Sequence, residues 1–126
     1  MRDNFHKYGV LIPATGLITV YEVEINKELR SLQEAVGGHI EPIPCSNGDL
    51  LLCNEHAKFK NLPINNRATQ YAFIDMASIS RNREGVVKVS FPDCIAGVAL
   101  LLPPPEEPDF SFFTKEEAQR ICDDFN

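Results

Sequence analysis

Residues 32–56 read LQEAVGGHIEPIPCSNGDLLLCNEH, and the reading of this stretch decides the fold. Leu29, Leu32, Ala35 and Val36 recur at helical spacing and give one apolar stripe. Gly37 can supply the left-handed stop that ends a helix, and Gly38 frees the chain to turn back at once. Ile40–Cys45 and Leu50–Asn54 then flank Ser46-Asn47-Gly48-Asp49, where Asn-Gly predicts a two-residue type I′ hairpin turn. With Asn47 and Gly48 as the loop, Cys45 faces Leu50, Ile43 faces Leu52, Glu41 faces Asn54 and His39 faces His56. All eight then share one face, apolar near the turn and polar at the far end. Pro42 and Pro44 project to the other side and cannot donate to a ladder, so their strand lies at an edge or ends early.

Upstream, Tyr8–Ile12 and Leu17–Ile25 read as two strands joined through Pro13-Ala14-Thr15-Gly16, the second alternating Tyr21, Val23 and Ile25 with Glu22 and Glu24. Asn26 is the expected cap of the following helix, with Glu28 in its first turn. Downstream, Lys58–Asn66 is polar and turn-like, and Asn65 or Asn66 can cap a short helix through Arg67, Ala68, Tyr71 and Ala72. Ser78–Gly85 reads as a loop and Val86–Phe91 as a strand. Cys94–Leu102 is a nearly continuous apolar run, a buried strand entered through a bend at Gly97. Pro103-Pro104-Pro105 with Pro108 predicts a stiff extended connector. Thr114 and Glu117 match a capping box opening a helix whose face is Ala118, Ile121, Cys122 and Phe125. Phe110, Phe112 and Phe113 are expected to pin the connector to the core. No internal repeat is visible. The expectation is a single α+β domain: a core over about 8–102, a Pro-rich connector over 103–109 and a helix over 114–125. Its mostly antiparallel sheet has about five strands, with two or three helices packed on it.

Composition narrows the function. The chain has 126 residues, 44% of them hydrophobic, enough for one modest core. No apolar run reaches about 18 residues, which argues against a membrane span. The start, MRDNFHKYG, lacks the apolar stretch of a secretory leader, so a cytoplasmic location is expected. A formal net charge of −6 repels phosphate at long range, and the densest basic stretch, Arg81-Asn82-Arg83 with Lys88 nearby, is interrupted by Glu84. This argues against nucleic acid. The four cysteines show no C-x-x-C spacing and read as reduced, buried thiols. G-x-G-x-x-G, P-loop, G-x-S-x-G and H-E-x-x-H signatures are missing, so neither a catalytic residue nor a cofactor is assigned. His39, Glu41, Asn54 and His56 on one hairpin face would suit zinc or iron, but histidines at a frayed hairpin end in water explain the pattern as well, and no metal is assigned.

LQEAVGGHIE, then the hairpin, NEHAK, LPINNRA, DCIAG and FSFFTKEEAQRI resemble the family called domain of unknown function 3846, from about Tyr8 to Phe125. The resemblance implies an α+β fold, an origin among phages, other viruses and mobile elements, and no established activity. Against the family pattern, Ala57 stands where a glycine is usual, which brings the turn geometry into question, and Ser78–Pro92 looks like an insertion. Small phage-borne proteins without catalytic motifs often work by binding. The expected ligand site is Gly37, Gly38, Glu41, Asn54, Lys58, Asn65 and Arg67, converging near the helix stop. Amides and a guanidinium there would read a small polar or nucleotide-like ligand, with glycines letting backbone amides approach. The same residues also have structural uses: Asn54 and Asn65 can cap turns, and Arg67 can pair with Glu41 or Glu55. The alternative partner is a host protein, or a second copy of the chain, meeting an exposed apolar patch at Phe110–Phe113.

Overall fold

A computed structural model of the chain describes residues 7–126. Residues 1–6, most of the polar start read above as lacking a leader, lie outside the described residues. Elements follow in the order β1 (Tyr8–Ile12), β2 (Thr19–Glu22), α1 (Glu28–Val36), β3 (Ile40–Pro44), β4 (Leu50–Asn54), α2 (Asn66–Phe73), β5 (Ser78–Arg81), β6 (Val87–Ser90), β7 (Ala99–Leu102) and α3 (Lys115–Phe125). Five strands form one antiparallel sheet in the order β2-β1-β7-β4-β3, and β5 and β6 pair as a separate ribbon. The fold is α+β, as expected. Among the described residues no helix is long and apolar enough to cross a membrane.

The sheet is buried on both faces, which explains why β4 (LLLCN) and β7 (ALLL) read as continuous apolar runs rather than alternating ones. Val10, Ile12, Leu51, Cys53 and Leu101 face Ala68 and Ala72 of α2 and Ala118 and Cys122 of α3. Leu50, Leu52, Leu100 and Leu102 face Leu32 and Val36 of α1 together with Phe112. Gly9 sits where β1 passes β7 closely: a Cβ there would lie 2.8 Å from Leu100 Cδ1.

Local signals set the boundaries. Gly37 takes φ +79° and, with Gly38, donates its N–H to the Gln33 carbonyl, ending α1 as read. Its start differs. Ile25–Lys27 form a 3-10 turn, Lys27 occupies the cap without a side-chain bond, and Asn26 is not the cap. The second strand accordingly stops at Glu22, although Val23 still donates to the Lys7 carbonyl. Leu29 is 58% exposed and leaves the stripe, whereas Ser31 is buried because its Oγ accepts from Glu24 N–H and its carbonyl from the Tyr21 hydroxyl. The capping box at Thr114 and Glu117 is formed, and Asn126 Nδ2 donates to the Ile18 carbonyl at 2.8 Å.

Three further expectations are corrected. The hairpin register is shifted by one residue: Ile43 pairs with Leu51, Glu41 with Cys53 and Ile40 with Asn54. Cys45 N–H donates to Asp49 O, so Ser46-Asn47-Gly48 form a three-residue loop with left-handed Gly48 (φ +95°) in last place. The loop is this length because α2 grips it. Ser46 donates both N–H and Oγ to the Ala72 carbonyl, and Asn47 Nδ2 reaches the Tyr71 hydroxyl, which in turn donates to Asp49. The turn end therefore carries a polar network and is not simply apolar. Counting by twos from the Cys45–Asp49 pair, β3 points the N–H groups of residues 43 and 41 into the ladder. Residues 42 and 44 face outward from the sheet edge, where proline costs no bond. Second, Ser78–Arg81 is a strand, not a loop. Third, the connector is not extended throughout: it turns at Glu106–Asp109, and Phe113 then exchanges both backbone hydrogen bonds with Tyr8. Phe112 and Phe113 are buried and Phe110 packs against the core, so no exposed patch lies there.

Asn65 joins three elements from complete burial. Its Oδ1 caps α2 at Ala68 N–H, and its Nδ2 donates to the Ile12 carbonyl at 2.8 Å and the Gly97 carbonyl at 2.9 Å. Asn65→Ala leaves two buried carbonyls and a helix N–H without partners and should cost about 3 kcal/mol. Urea unfolding with an unchanged m-value checks this; Asn65→Asp, which keeps the cap but sets a carboxylate against two carbonyls, should cost at least as much.

Candidate functional site

The shifted register separates the residues expected to meet. Glu41 points to the α2–α3 face of the hairpin with Ile43 and Cys53, while Asn54 pairs with Ile40 on the other face. Asn54 is buried. Its Nδ2 donates to the Val36 carbonyl and its Oδ1 accepts from His56 N–H, so it locks the end of α1 to the end of β4. Gly38 packs on this amide: a Cβ there would lie 3.0 Å from Asn54 Nδ2. The glycine thus makes room for an asparagine side chain.

Asn65 and Arg67 do not converge on the helix stop. Arg67 donates from Nη1 to the Gly16 carbonyl and from Nη2 to the Pro13 carbonyl, both at 2.7 Å, holding the β1–β2 turn against α2. It pairs with neither Glu41 nor Glu55. The four-residue metal constellation is not assembled either: His39 pairs through its carbonyl with Glu55 N–H, and the His56 ring lies 3.9 Å from the Glu55 carboxylate. Among the described residues no group of three His, Cys, Asp or Glu is spaced to hold a metal ion.

Glu41 and Lys58 do share a recess, with Asn54 at its border. This cleft of about 260 Å³ opens between β3, the 55–59 loop and the segment entering β7. Buried Cys53, Ala57, Ile95 and Ala96 line it, with Phe59, 93% exposed, at the loop. Ala57 is buried without a positive φ, so alanine is accommodated in that turn; the left-handed position in the loop is Asn61. Lys58 Nζ meets Asp93 Oδ1 at 2.5 Å, and the same oxygen accepts Cys94 N–H. The hydrogen bond from Lys58 is the largest influence holding the Asp93 carboxyl below the ordinary range, and its counterpart holds Lys58 above its own. The Glu41 carboxylate makes no hydrogen bond or ion pair among the described residues, although it lies near enough to Lys58 to add to the upward shift of that amine. Glu41, Glu55 and Asp93 against Lys58 leave the cleft negative.

The thiol in the cleft is not activated. Burial first, then the Glu41 carboxylate and the Cys45 sulfur, push Cys53 up to about 12, so it stays protonated at neutral pH. The arrangement can hold a cation between carboxylates above an apolar floor; it presents no thiolate. All four cysteines are free, but only Cys45, Cys53 and Cys122 are buried, and Cys94 is half-buried. Asp93, Cys94 and Phe59 were not among the residues expected to form the site. Asp93 lies 35 positions from Lys58 and no local pattern links them. A wider recess of about 610 Å³ lies between β2 and α1, where the Tyr21 hydroxyl and Ser31 already bond to the protein itself.

The fold and recess define a small α+β domain with a three-layer core and an open, acidic cleft at one end of a hairpin. The chain belongs to the family described as Domain of unknown function (DUF3846), whose model matches residues 7–126. No curated protein and no solved structure matches it.

Because Asp93 is depressed by its partner, the pair's contribution is present above the ordinary carboxylate pKa of 3.8 and is lost as pH falls through the lowered folded value. On the alkaline side Lys58 is raised, so its contribution persists to 10.5 and is lost above it. Carboxyl NMR titration should show Asp93 protonating below the ordinary value of 3.8, and Lys58→Met should return it toward that value.

Proposed function

We propose that this protein is a non-enzymatic binding protein, of phage or viral origin and acting in the host cytoplasm. Its cleft at Glu41, Glu55, Lys58 and Asp93 takes a small polar ligand bearing a positive charge and a short apolar stem. The carrying observation is the free Glu41 carboxylate opening on a recess that is apolar below and negative around its rim. A primary amine or guanidinium would meet Glu41 by a charge-assisted hydrogen bond, while its stem covers Cys53, Ile95 and Ala96. The Lys58–Asp93 pair would bound the site. A nucleotide-like ligand finds less support, because both terminal nitrogens of Arg67 are committed to backbone carbonyls. The viral setting is carried by the family resemblance alone.

Thermal shift with agmatine, putrescine and arginine amide, against adenosine monophosphate and inorganic phosphate, tests the reading. The amines should raise the melting temperature and the anions should not. Glu41→Gln should weaken amine binding about tenfold or more by calorimetry, the scale of a lost charge-assisted bond of about 1.5 kcal/mol, without changing the apo melting temperature. Stabilisation by the anions alone, or amine binding that survives Glu41→Gln intact, rejects it.

A further inference from the structure

The β5–β6 ribbon stands outside the three-layer core. Its register pairs Ile79 with Val89 and Arg81 with Val87 on one face, and Ser78 with Ser90 and Ser80 with Lys88 on the other. Alternation thus sorts the ribbon into an apolar face and a polar one. Burial does not follow that sorting: Ile79 is 74% exposed, and Val87 and Val89 about half. Next to the ribbon, Val86, Ile74 and Met76 are exposed as well. A two-stranded hairpin alone in water is marginal, and clustered β-branched side chains facing solvent mark a contact surface rather than a random scatter. Neither edge of the ribbon has a further strand, so backbone pairing is open along both.

The charge of the ribbon says what covers it. Arg81, Arg83 and Lys88 stand against Glu84 alone, on a chain whose net charge is −6. None of the three cations makes an ion pair among the described residues. We propose that the β5–β6 ribbon docks on an acidic protein surface that presents aliphatic side chains between carboxylates, the face of Ile79, Val87 and Val89 seating first while Arg81 on that face and Arg83 at the turn pair around it. A membrane fits less well, because the strip holds no aromatic side chain to seat at the headgroup level. Nucleic acid fits less well because the exposed strip is aliphatic where base edges need hydrogen-bonding groups. This inference is independent of the cleft and concerns a different class of partner.

The test is selection of displayed random peptides on the full chain, counter-selected on Ile79→Ser/Val89→Ser. Enriched peptides should interleave Asp or Glu with Val, Ile or Leu. A synthetic consensus peptide should bind the wild type, weaken at least tenfold on Ile79→Ser/Val89→Ser and on Arg81→Glu/Arg83→Glu, and weaken with added salt. If the serine variant fails to fold by circular dichroism, the charge-reversal variant carries the comparison. No enrichment over the variant, a neutral or basic consensus, or tighter binding to duplex DNA or phosphatidylserine vesicles overturns the proposal. So does a dimer by light scattering that Ile79→Ser dissolves, since the strip would then be covered by a second copy. Glu41→Gln should leave peptide binding unchanged, so the cleft and the ribbon fail or stand separately.

Discussion

The amide of Asn65 is the constraint on which the rest of the structure depends. A fully buried side chain spends both donor and acceptor on backbone that belongs to three different segments: the end of β1, the bend entering β7 and the first turn of α2. Thr69 extends the link, with its hydroxyl accepting Ile95 N–H and donating to the Asn65 carbonyl, while Asn65 N–H meets Ile95 O. Because unpaired polar groups at this depth are costly, α2 has little freedom in where it starts or how it lies on the sheet. Its far end then falls over the hairpin loop. There the Ala72 carbonyl takes both Ser46 donors and fixes a three-residue loop instead of a two-residue one. Loop length sets register, and register decides which hairpin side chains reach the cleft. Glu41 lies in the recess because Asn65, two elements away, holds α2 in place.

The same geometry explains why the polar residues of the hairpin and helix stop do not form one site. Asn54, Asn65 and Arg67 each bond to backbone carbonyls, as befits side chains that hold turns and helix ends together. What remains open to a ligand is the set that is not spent in this way. At the other end of the hairpin the Tyr71 hydroxyl is raised by burial first and then by Asp49, so this polar contact stays neutral against an acceptor. The face shared by α2 and α3 is further closed by the tilted stack of Tyr71 on Phe125, with centroids 5.6 Å apart.

Features whose cause lies within a few residues were legible in the sequence. The Gly37 stop, the Asn65 cap among two candidates, the Thr114–Glu117 box, the buried run after Gly97 and the edge position of Pro42 and Pro44 all rest on local chemistry. The hairpin register was not legible, because Asn-Gly is compatible with two loop lengths and the choice is made by a carbonyl 26 residues away. Lys58–Asp93 was hidden for the same reason. Ser78–Arg81 was read as a loop because its strand faces solvent on both sides, so no burial imposes a pattern strong enough to outweigh its serines. Of the expected site, Glu41 and Lys58 share the cleft with Asn54 at its border; the remaining residues are near the helix stop or inside the scaffold.

The prolines of β3 bear on how the molecule behaves in a crowd. Two of the outward-facing positions on that edge lack an N–H, so an approaching strand would find acceptors there and almost no donors. Only the β2 side of the five-stranded sheet can accept a full ladder. A stack that grows by edge pairing needs two competent edges per unit, and this sheet offers one. Pairing of one five-stranded sheet with another therefore terminates at two molecules instead of propagating into a fibre, and that limit is written into the covalent chemistry of residues 42 and 44.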